Sequence, residues 1–126
     1  MNALQLVNKL LKDFQVEVRF SQKATADLAS YDRNTQEIII ALIIKRAKGG
    51  PLIRPKGLGK PLGKELNGFT KIKPKSLNLR IIYKPVELDN IVQMQVIAIG
   101  PRDKDAVYRK AATRMIEFDQ EMLDDQ

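Results

Sequence analysis

The spacing of apolar positions predicts a helix and then a strand at the start of the chain. Leu4, Val7, Leu11 and Phe14 recur every three or four residues with polar residues between them, which is typical of an amphipathic helix. The six residues from Gln15 then alternate strictly between polar and apolar side chains, as a strand with one buried face does. We therefore expect a short N-terminal helix followed by a half-buried strand.

Two further helices are predicted before residue 50. Ser21 offers an N-cap for a helix over about residues 22–30. The apolar run Ile38–Ile44 is compatible with a buried strand, but Thr35 can cap a helix there and Gly49 begins a glycine pair that can stop it. Helix is the preferred interpretation of this run, with strand as the open alternative.

The second half of the chain predicts a loop, a meander of strands and a last helix. Glycine and proline are interspersed with lysine from Gly49 to Gly68, which indicates a long loop. Residues 69–73, 79–84 and 91–99 are strand candidates joined by short turns, so an antiparallel meander is expected. Asp103 or Asp105 can cap the final helix. Its apolar stripe is Val107, Ala111, Met115, Phe118 and Met122.

Length and composition indicate one globular domain and exclude several kinds of chemistry. A chain of 126 residues with 44% hydrophobic residues can bury a real core. It has no cysteine and no histidine, so it has no disulfide, thiolate metal site, imidazole base or zinc-type ligand cluster. We expect no metal and no other cofactor. The N-terminus lacks a secretory apolar segment and no apolar run reaches the ~18–20 residues of a membrane span, which predicts a cytoplasmic protein.

Positive charge is concentrated in the middle of the chain. Residues 45–110 carry 16 lysines and arginines against five acids, whereas residues 111–126 carry one arginine against five acids. Such a basic region is expected of a protein that binds a phosphate backbone. The alternative is a lysine-rich surface that only keeps the protein soluble. The acidic end, residues 117–126, is either an ordinary helix end or a shield for the basic surface.

Five polar residues in the predicted meander form a candidate site. Lys71 and Lys73 are two apart on one strand, so both point to one face with Cα atoms ~6.5–7 Å apart. Arg80 starts the next strand, Arg102 follows the third, and Tyr108 lies in the final helix, so the meander brings all five close together. Taken alone, two lysines on a strand are more often a solvated face that discourages edge pairing.

A dense group of lysines and arginines can cleave RNA without a metal ion. The RNA's own 2′-hydroxyl attacks the adjacent phosphate, which requires a base for the 2′ proton, cations for the added negative charge, and an acid for the leaving 5′-oxygen. Neighbouring positive charges favour the neutral form of a lysine and so bring it towards the role of base. An aromatic ring adds a surface on which a base can stack.

Two segments resemble the RelE branch of the RelE/ParE superfamily of bacterial type II toxin–antitoxin toxins. Residues 69–83 contain Lys-x-Lys and then an arginine before a hydrophobic pair and a tyrosine. Residues 96–108 contain a strand that ends in glycine, with an arginine two residues on and a tyrosine eight residues on. RelE toxins share this order and spacing, and the likeness covers about residues 15–115.

The resemblance implies an α+β fold in which N-terminal helices pack on a twisted antiparallel sheet of about four strands, with a C-terminal helix. It implies an endoribonuclease, an mRNA interferase that cuts mRNA in the A site of the 70S ribosome and inhibits translation. The implied partners are a cognate antitoxin, the ribosome and mRNA, with no membrane, and with operator DNA bound only through the antitoxin complex. Residues 1–126 would form one RelE-like domain with a helical extension at residues 1–13.

The resemblance also assigns roles to the candidate site. Lys71 and Lys73 would act as base and charge stabilisers, Arg80 as a phosphate clamp, Arg102 as the acid or a second clamp, and Tyr108 as the base-stacking residue. The alternative for Arg80 is a strand-end ion pair, and for Tyr108 an aromatic that docks the helix. Four further lysines are expected to bind RNA phosphates: Lys60, Lys64, Lys75 and Lys104.

The chain departs from the family pattern in its N-terminal extension, in the long loop at 49–68, at Pro74 and at the acidic end. We hypothesise that the acidic end lies near the basic groove in the free protein. Two other functions stay open: a ParE-like inhibitor of DNA gyrase, which needs no general base, and a non-catalytic RNA- or ribosome-binding module.

Overall fold

The computed structural model describes residues 2–124 of the chain. Met1 and residues 125–126, which belong to the predicted N-terminal extension and acidic end, lie outside the described residues. The helices and strands are α1 (Ala3–Leu11), β1 (Val16–Phe20), α2 (Gln22–Ala29), α3 (Arg33–Gly49), β2 (Thr70–Ile72), β3 (Arg80–Leu88), β4 (Ile91–Gly100), α4 (Ala106–Thr113) and α5 (Met115–Asp124). None of the helices within residues 2–124 is long and apolar enough to cross a membrane.

The four strands form one sheet in the order β1-β4-β3-β2. The predicted meander of β2, β3 and β4 is confirmed, because both of its pairings are antiparallel. The prediction that the whole sheet is antiparallel is wrong, because β1 pairs parallel to β4, with Val16 opposite Val92 and Phe20 opposite Val96. The alternation in β1 determines which face is buried but not the direction of its partner, and the long connection through α2 and α3 permits the parallel pairing.

Helices cover both faces of the sheet, so the α+β class is confirmed. On one face, the strands pack with α1 and α3 through residues such as Leu11, Ile39 and Ile81. On the other face, α4 and α5 contribute a second apolar cluster; its members include Phe69, Ile82, Ile97, Val107, Ala111, Phe118 and Met122. Burial of apolar area on both faces is the main force that holds the strand ends in place.

The apolar run Ile38–Ile44 lies inside helix α3, so the preferred interpretation of this run is confirmed. The helix begins earlier than its predicted cap: Asp32 is the N-cap, and its side chain accepts a hydrogen bond from the Thr35 backbone N–H at 2.8 Å. Gly50 terminates the helix with φ 139°, a conformation that favours glycine.

The predicted final helix is broken at Arg114 into α4 and α5. Of the predicted stripe, Met115 is only partly buried, whereas the other four residues are buried. Neither predicted cap works as expected. Asp105 occupies the N-cap position but makes no side-chain cap bond, because its backbone is left-handed (φ 58°) rather than extended. The carboxylate of Asp103 instead accepts a hydrogen bond from Asn78.

The long loop at 49–68 is fastened to the body at several points. The hydroxyl of Tyr83 donates to the Pro51 carbonyl at 2.6 Å, and the hydroxyl of Thr70 donates to the Lys60 carbonyl at 2.8 Å. A short 3-10 turn, Lys64–Leu66, places Leu66 in the second apolar cluster. The loop therefore forms a fixed wall beside β2 and α4.

Candidate functional site

Three of the predicted site residues meet where the meander strands end. Lys73 follows β2, Arg80 begins β3 opposite Gly100, and Arg102 lies two residues beyond that glycine. All three line a groove of about 540 Å³. The other lining residues are Pro74, Lys75, Ser76, Leu77, Asn78 and Asp103. The antiparallel register therefore brings together three cations that are spread over 30 positions of the sequence.

Arg80 is the most buried cation of the groove, with 9% of the residue exposed. Its guanidinium donates a hydrogen bond to the Leu79 carbonyl at 2.8 Å, which fixes its direction. Within residues 2–124 no carboxylate lies at ion-pair distance from it, so the alternative of a strand-end ion pair is not found. A buried charge without a counter-charge is unfavourable, and an anionic ligand would offset that cost.

Asn78 holds the two loops of the groove together and was not singled out by sequence reasoning. Its side-chain amide donates to the Asp103 carboxylate at 2.7 Å, and its side-chain oxygen accepts from the Arg102 backbone N–H at 3.2 Å. Asp103 is the one acid among the described lining residues, and this bond occupies one of its oxygens. The sequence signal that could have identified Asn78 was its position in a polar turn between two strands.

Lys71 and Tyr108 form a contacting pair next to the groove rather than in it. The Lys71 ammonium lies 5.5 Å from the centroid of the Tyr108 ring, within the range of a cation–π interaction. Tyr108 is half-buried, so part of its ring stays accessible. The structure therefore divides the five predicted residues into a groove of three and an adjacent pair.

The four lysines predicted to bind RNA are all exposed, and they occupy different places. Lys75 lines the groove itself, and Lys64 lines a second cleft that also contains Tyr108. Lys104 lies in a left-handed turn between β4 and α4, where its carbonyl accepts a hydrogen bond from the Arg109 guanidinium. Lys60 lies on the long loop. Within residues 2–124 none of the four is ion-paired with a carboxylate.

A basic strip, defined here as residues 45–64, adjoins the groove. It contains seven lysines and arginines and no acid, and among the described residues only Lys56 pairs with a carboxylate, that of Glu87 at 3.5 Å. Lys45 and Arg46 of the strip border a hollow of about 510 Å³ that also contains Lys73 and Lys75. Positive charge is therefore continuous from α3 to the groove.

A partly buried charged cluster behind the end of β4 was missed by sequence reasoning. Asp27 accepts two hydrogen bonds from Arg114, at 2.7 and 2.9 Å, and one from the Ile99 backbone N–H at 2.9 Å, while the Lys110 ammonium lies 3.4 Å away. Burial alone would raise the pKa of Asp27, but the hydrogen bonds from Arg114 and Ile99 and the two positive charges hold that pKa below its usual value. The sequence signal for this cluster was the carboxylate of Asp27, which lies beside the apolar stripe of the amphipathic helix α2.

The acidic end contacts β1 and α2, not the groove. Glu117 pairs with Lys23 at 2.8 Å, and Glu121 accepts from the Gln22 backbone N–H at 2.9 Å. The Arg19 guanidinium donates to the carbonyls of Glu121 and Met122. None of residues 117–124 lines the groove, so the hypothesis that this end lies near the basic groove does not hold for them.

The chain is similar to known proteins in its fold. Neither a protein-family model nor a curated protein matches the sequence. Among solved structures, a mutant of the Escherichia coli toxin RelE in the free state is 21% identical over 78% of this chain and 95% of that chain, with a TM-score of 0.58. A mutant of the same toxin in complex with a peptide of the antitoxin RelB is 18% identical over 77% of this chain and 94% of that chain, with a TM-score of 0.55.

A third structure, a YoeB/ParE toxin from Agrobacterium tumefaciens, is 19% identical over 68% of this chain and 97% of that chain, with a TM-score of 0.52. Each of these toxins is covered almost completely, and the sheet, the helices on its faces and the C-terminal helix agree with the architecture implied by the sequence resemblance. The chain therefore shares the fold of these RelE and YoeB/ParE toxins.

Proposed function

We propose that this protein is the toxin of a type II toxin–antitoxin system and a ribosome-dependent mRNA interferase that cleaves mRNA in the A site. The observation that carries the proposal is the convergence of Lys73, Arg80 and Arg102 on one groove in which, among residues 2–124, no carboxylate pairs with Arg80. The fold shared with RelE supports it, as does the resemblance of residues 69–83 and 96–108 to RelE toxins.

In the proposed reaction, the ribose 2′-oxygen attacks the adjacent phosphorus and the 5′-oxygen of the next nucleotide leaves. Lys71 or Lys73 takes the 2′ proton, and Arg102 returns a proton to the leaving oxygen or acts as a second clamp. Arg80 donates hydrogen bonds to the non-bridging oxygens as negative charge develops on them. The products are a 2′,3′-cyclic phosphate and a free 5′-hydroxyl, and no metal ion is required.

Two features suit the groove to this role. The Arg80 guanidinium is already oriented by the Leu79 carbonyl, and its planar donors match the oxygens of a phosphate. Asn78 fixes both loops of the groove. Donors that are held in place before the reaction stabilise developing charge without a cost of reorganisation.

The basic strip and the exposed lysines are the proposed contacts to ribosomal RNA. Contacts of this kind are electrostatic, so ribosome binding should weaken as salt is raised. A RelE mutant is known in complex with a peptide of its antitoxin RelB. We propose by analogy that a cognate antitoxin binds this chain and covers the groove.

The test is in vitro translation on purified bacterial ribosomes with a defined mRNA, with primer extension to map the cuts. Wild type, Arg80→Ala and the exposed control Arg33→Ala are compared, and free RNA and a gyrase supercoiling assay serve as controls. We expect ribosome-dependent cuts at the A-site codon with wild type and Arg33→Ala, and a strong loss with Arg80→Ala. Absence of cuts would overturn the proposal; gyrase inhibition would then assign a ParE-like activity, and inertness a binding module.

A further inference from the structure

The last helix presents an acidic face that contains two exposed apolar side chains. Ile116 and Leu123 are 84% and 69% exposed, the highest values among the large apolar side chains of residues 2–124. They are seven positions apart on α5, so both lie on one side of the helix with Cα atoms ~10.5 Å apart. The helix carries no lysine or arginine and four acids, namely Glu117, Asp119, Glu121 and Asp124.

Two of these acids have no partner in the described part of the chain. Glu117 and Glu121 are already bound to residues of α2. Asp119 and Asp124, in contrast, form no ion pair with any residue from 2 to 124. At 3.6 residues per turn, these two acids lie on either side of the exposed apolar pair. The face therefore has an apolar centre and an unpaired acidic border.

The hollow between α3 and the end of β2 has the complementary character. Its cations are Lys45, Arg46, Lys73 and Lys75, and none of them is paired with a carboxylate of residues 2–124. Its apolar lining comes from Leu42, Leu58, Ile72 and Pro74. None of its described lining residues is acidic. The hollow therefore offers an apolar surface within a positive border, which suits an acidic helix with apolar anchors.

The two surfaces lie on opposite faces of the sheet. The hollow belongs to the face that packs with α1 and α3. Helix α5 is held on the other face, where Phe118 and Met122 are buried in the second apolar cluster. The acidic face cannot reach the hollow of its own chain without leaving that cluster. It can, however, reach the hollow of a second copy.

We infer that α5 of one copy docks in the hollow of a second copy, so that copies of the chain associate head to tail. The two contact surfaces differ, so each copy can be both donor and acceptor. Lys73 and Lys75 line the groove as well as the hollow, so the docked helix covers part of the proposed catalytic surface. This consequence rests on the proposed function, whereas the association does not. The protein would thus be inhibited when concentrated and active when dilute.

Such a contact should be reversible and sensitive to salt. One helix in one hollow is smaller than a standard stable interface, which buries ~1,200–2,000 Å² in total. The chain has a net charge of +7, but the Debye length at physiological ionic strength is ~8 Å, so opposite charges in contact attract while more distant like charges are screened. At about 1 M salt the Debye length falls to ~3 Å and the contact itself weakens.

The test is analytical ultracentrifugation of the full-length protein from low to high micromolar concentration. The helix variant, Ile116→Lys with Leu123→Lys, keeps the hollow, and the hollow variant, Lys45→Glu with Leu58→Glu, keeps the helix. We expect the wild type to associate and each variant alone to associate at least about tenfold more weakly. An equimolar mixture of the two variants should form a one-to-one dimer that does not grow. Only a head-to-tail contact restores association in this way.

A matched control makes the same change on another exposed apolar face. Leu6 and Leu10 on α1 are 51% and 63% exposed, and Leu6→Lys with Leu10→Lys should associate like the wild type. Circular dichroism and urea denaturation check that every variant keeps the fold. Raising the salt to about 1 M should weaken association of the wild type.

The consequence for cleavage is tested with the hollow variant that also carries Arg80→Ala. This protein keeps α5 and lacks the proposed phosphate clamp. An excess of it should inhibit cleavage by the wild type on ribosomes, whereas the same protein with the two lysines of the helix variant should not. Both added proteins carry the same hollow substitutions, so competition for the ribosome is matched.

Several outcomes would overturn the inference. A wild type that stays monomeric would do so and would leave the hollow to an acidic helix of another protein. Undiminished association of the helix variant, a mixture that stays monomeric, or association that increases with salt would do so as well. Association without inhibition of cleavage would overturn the link to the groove alone. Absence of cleavage in the ribosome assay would overturn the proposed function and leave the association standing.

Discussion

Two charged clusters flank the C-terminal end of β4. In one the charges are paired with opposite charges, and in the other they are not. Behind the strand, Asp27 is surrounded by Arg114, Lys110 and the Ile99 N–H, so each charge has a partner. In front of it, Arg80 shares a groove with Lys73 and Arg102, and among the described residues no carboxylate pairs with it. The paired cluster stabilises the fold, whereas the unpaired one is available to an anionic ligand.

Because of this difference, substitutions in the two clusters should affect different measured quantities. In the paired cluster, removal of one partner leaves the others partly buried and without their counter-charge, so the effect falls on stability. In the unpaired groove, removal of a cation relieves repulsion within the free protein, so the effect falls on ligand binding and catalysis. Stability and activity measured on the same variants should therefore separate the two clusters.

The largest effect is expected for Asp27→Ala. The substitution leaves Arg114 and Lys110 without their carboxylate and the Ile99 N–H without its acceptor, so the free energy of unfolding should fall by about 3–5 kcal/mol. Urea denaturation followed by circular dichroism measures it. As a control, Glu37→Ala removes an exposed carboxylate 3.7 Å from Arg33 and should change stability by less than about 0.5 kcal/mol. A similar small loss for Asp27→Ala would show that the cluster is not structural.

The next largest effect is expected for Arg80→Ala, and it should fall on cleavage rather than on stability. Cleavage should fall about 100- to 1000-fold, the usual result of removing one donor to a developing oxyanion, while the free energy of unfolding changes by less than about 1 kcal/mol. Single-turnover cleavage on programmed ribosomes and urea denaturation measure the two quantities. A large loss of stability with unchanged cleavage per folded molecule would make Arg80 a structural residue.

A smaller effect is expected at Tyr108, which lines the second cleft and contacts Lys71. Tyr108→Ala removes the surface for base stacking and should lower cleavage about 5- to 150-fold, since stacking contributes about 1–3 kcal/mol per base. Tyr108→Phe keeps the aromatic ring and should retain most of the activity. An equal loss in both variants would show that the hydroxyl, rather than the ring, carries the function.

The smallest effect is expected on acid stability. The pKa of Asp27 is lower in the folded protein than in the unfolded chain. The ionised carboxylate therefore stabilises the fold at pH values above the unfolded pKa, and this contribution is lost as the pH falls through the folded pKa. The wild-type protein should therefore lose more unfolding free energy than Asp27→Asn between about pH 6 and pH 3, on either side of the ordinary carboxyl pKa. Parallel slopes for the two proteins would contradict this assignment.

Local pattern predicted most elements of the fold because each depends on nearby residues. Each signal lies within a short segment of sequence: the alternation in β1, the helical spacing in α1 and the glycine that ends α3. The parallel pairing of β1 with β4 was missed because no local pattern encodes a partner 76 positions away, as from Val16 to Val92. The break at Arg114 was missed for the same reason, since Arg114 binds Asp27 on a distant helix.

The sequence predicted which residues belong to the candidate site, but not how their side chains are arranged. The meander alone places Lys73, Arg80 and Arg102 at adjacent strand ends. That Lys71 and Tyr108 form a separate pair, and that Asn78 joins the two loops, depends on side-chain contacts across the sheet. The second cleft needs the long loop to fold back onto α4, which its glycines and prolines permit but do not specify.

The parallel pairing of β1 with β4 also sets the order of events during synthesis. The first strand leaves the ribosome early but cannot pair until β4, made some 75 residues later, has followed it. Contacts between such distant parts of a chain form slowly, because a long loop must close before they stabilise anything. The groove takes its lining from residues 73–103, so it too is completed only after most of the chain has been made. A nascent chain therefore passes through most of its synthesis before it has the surface that we propose binds RNA.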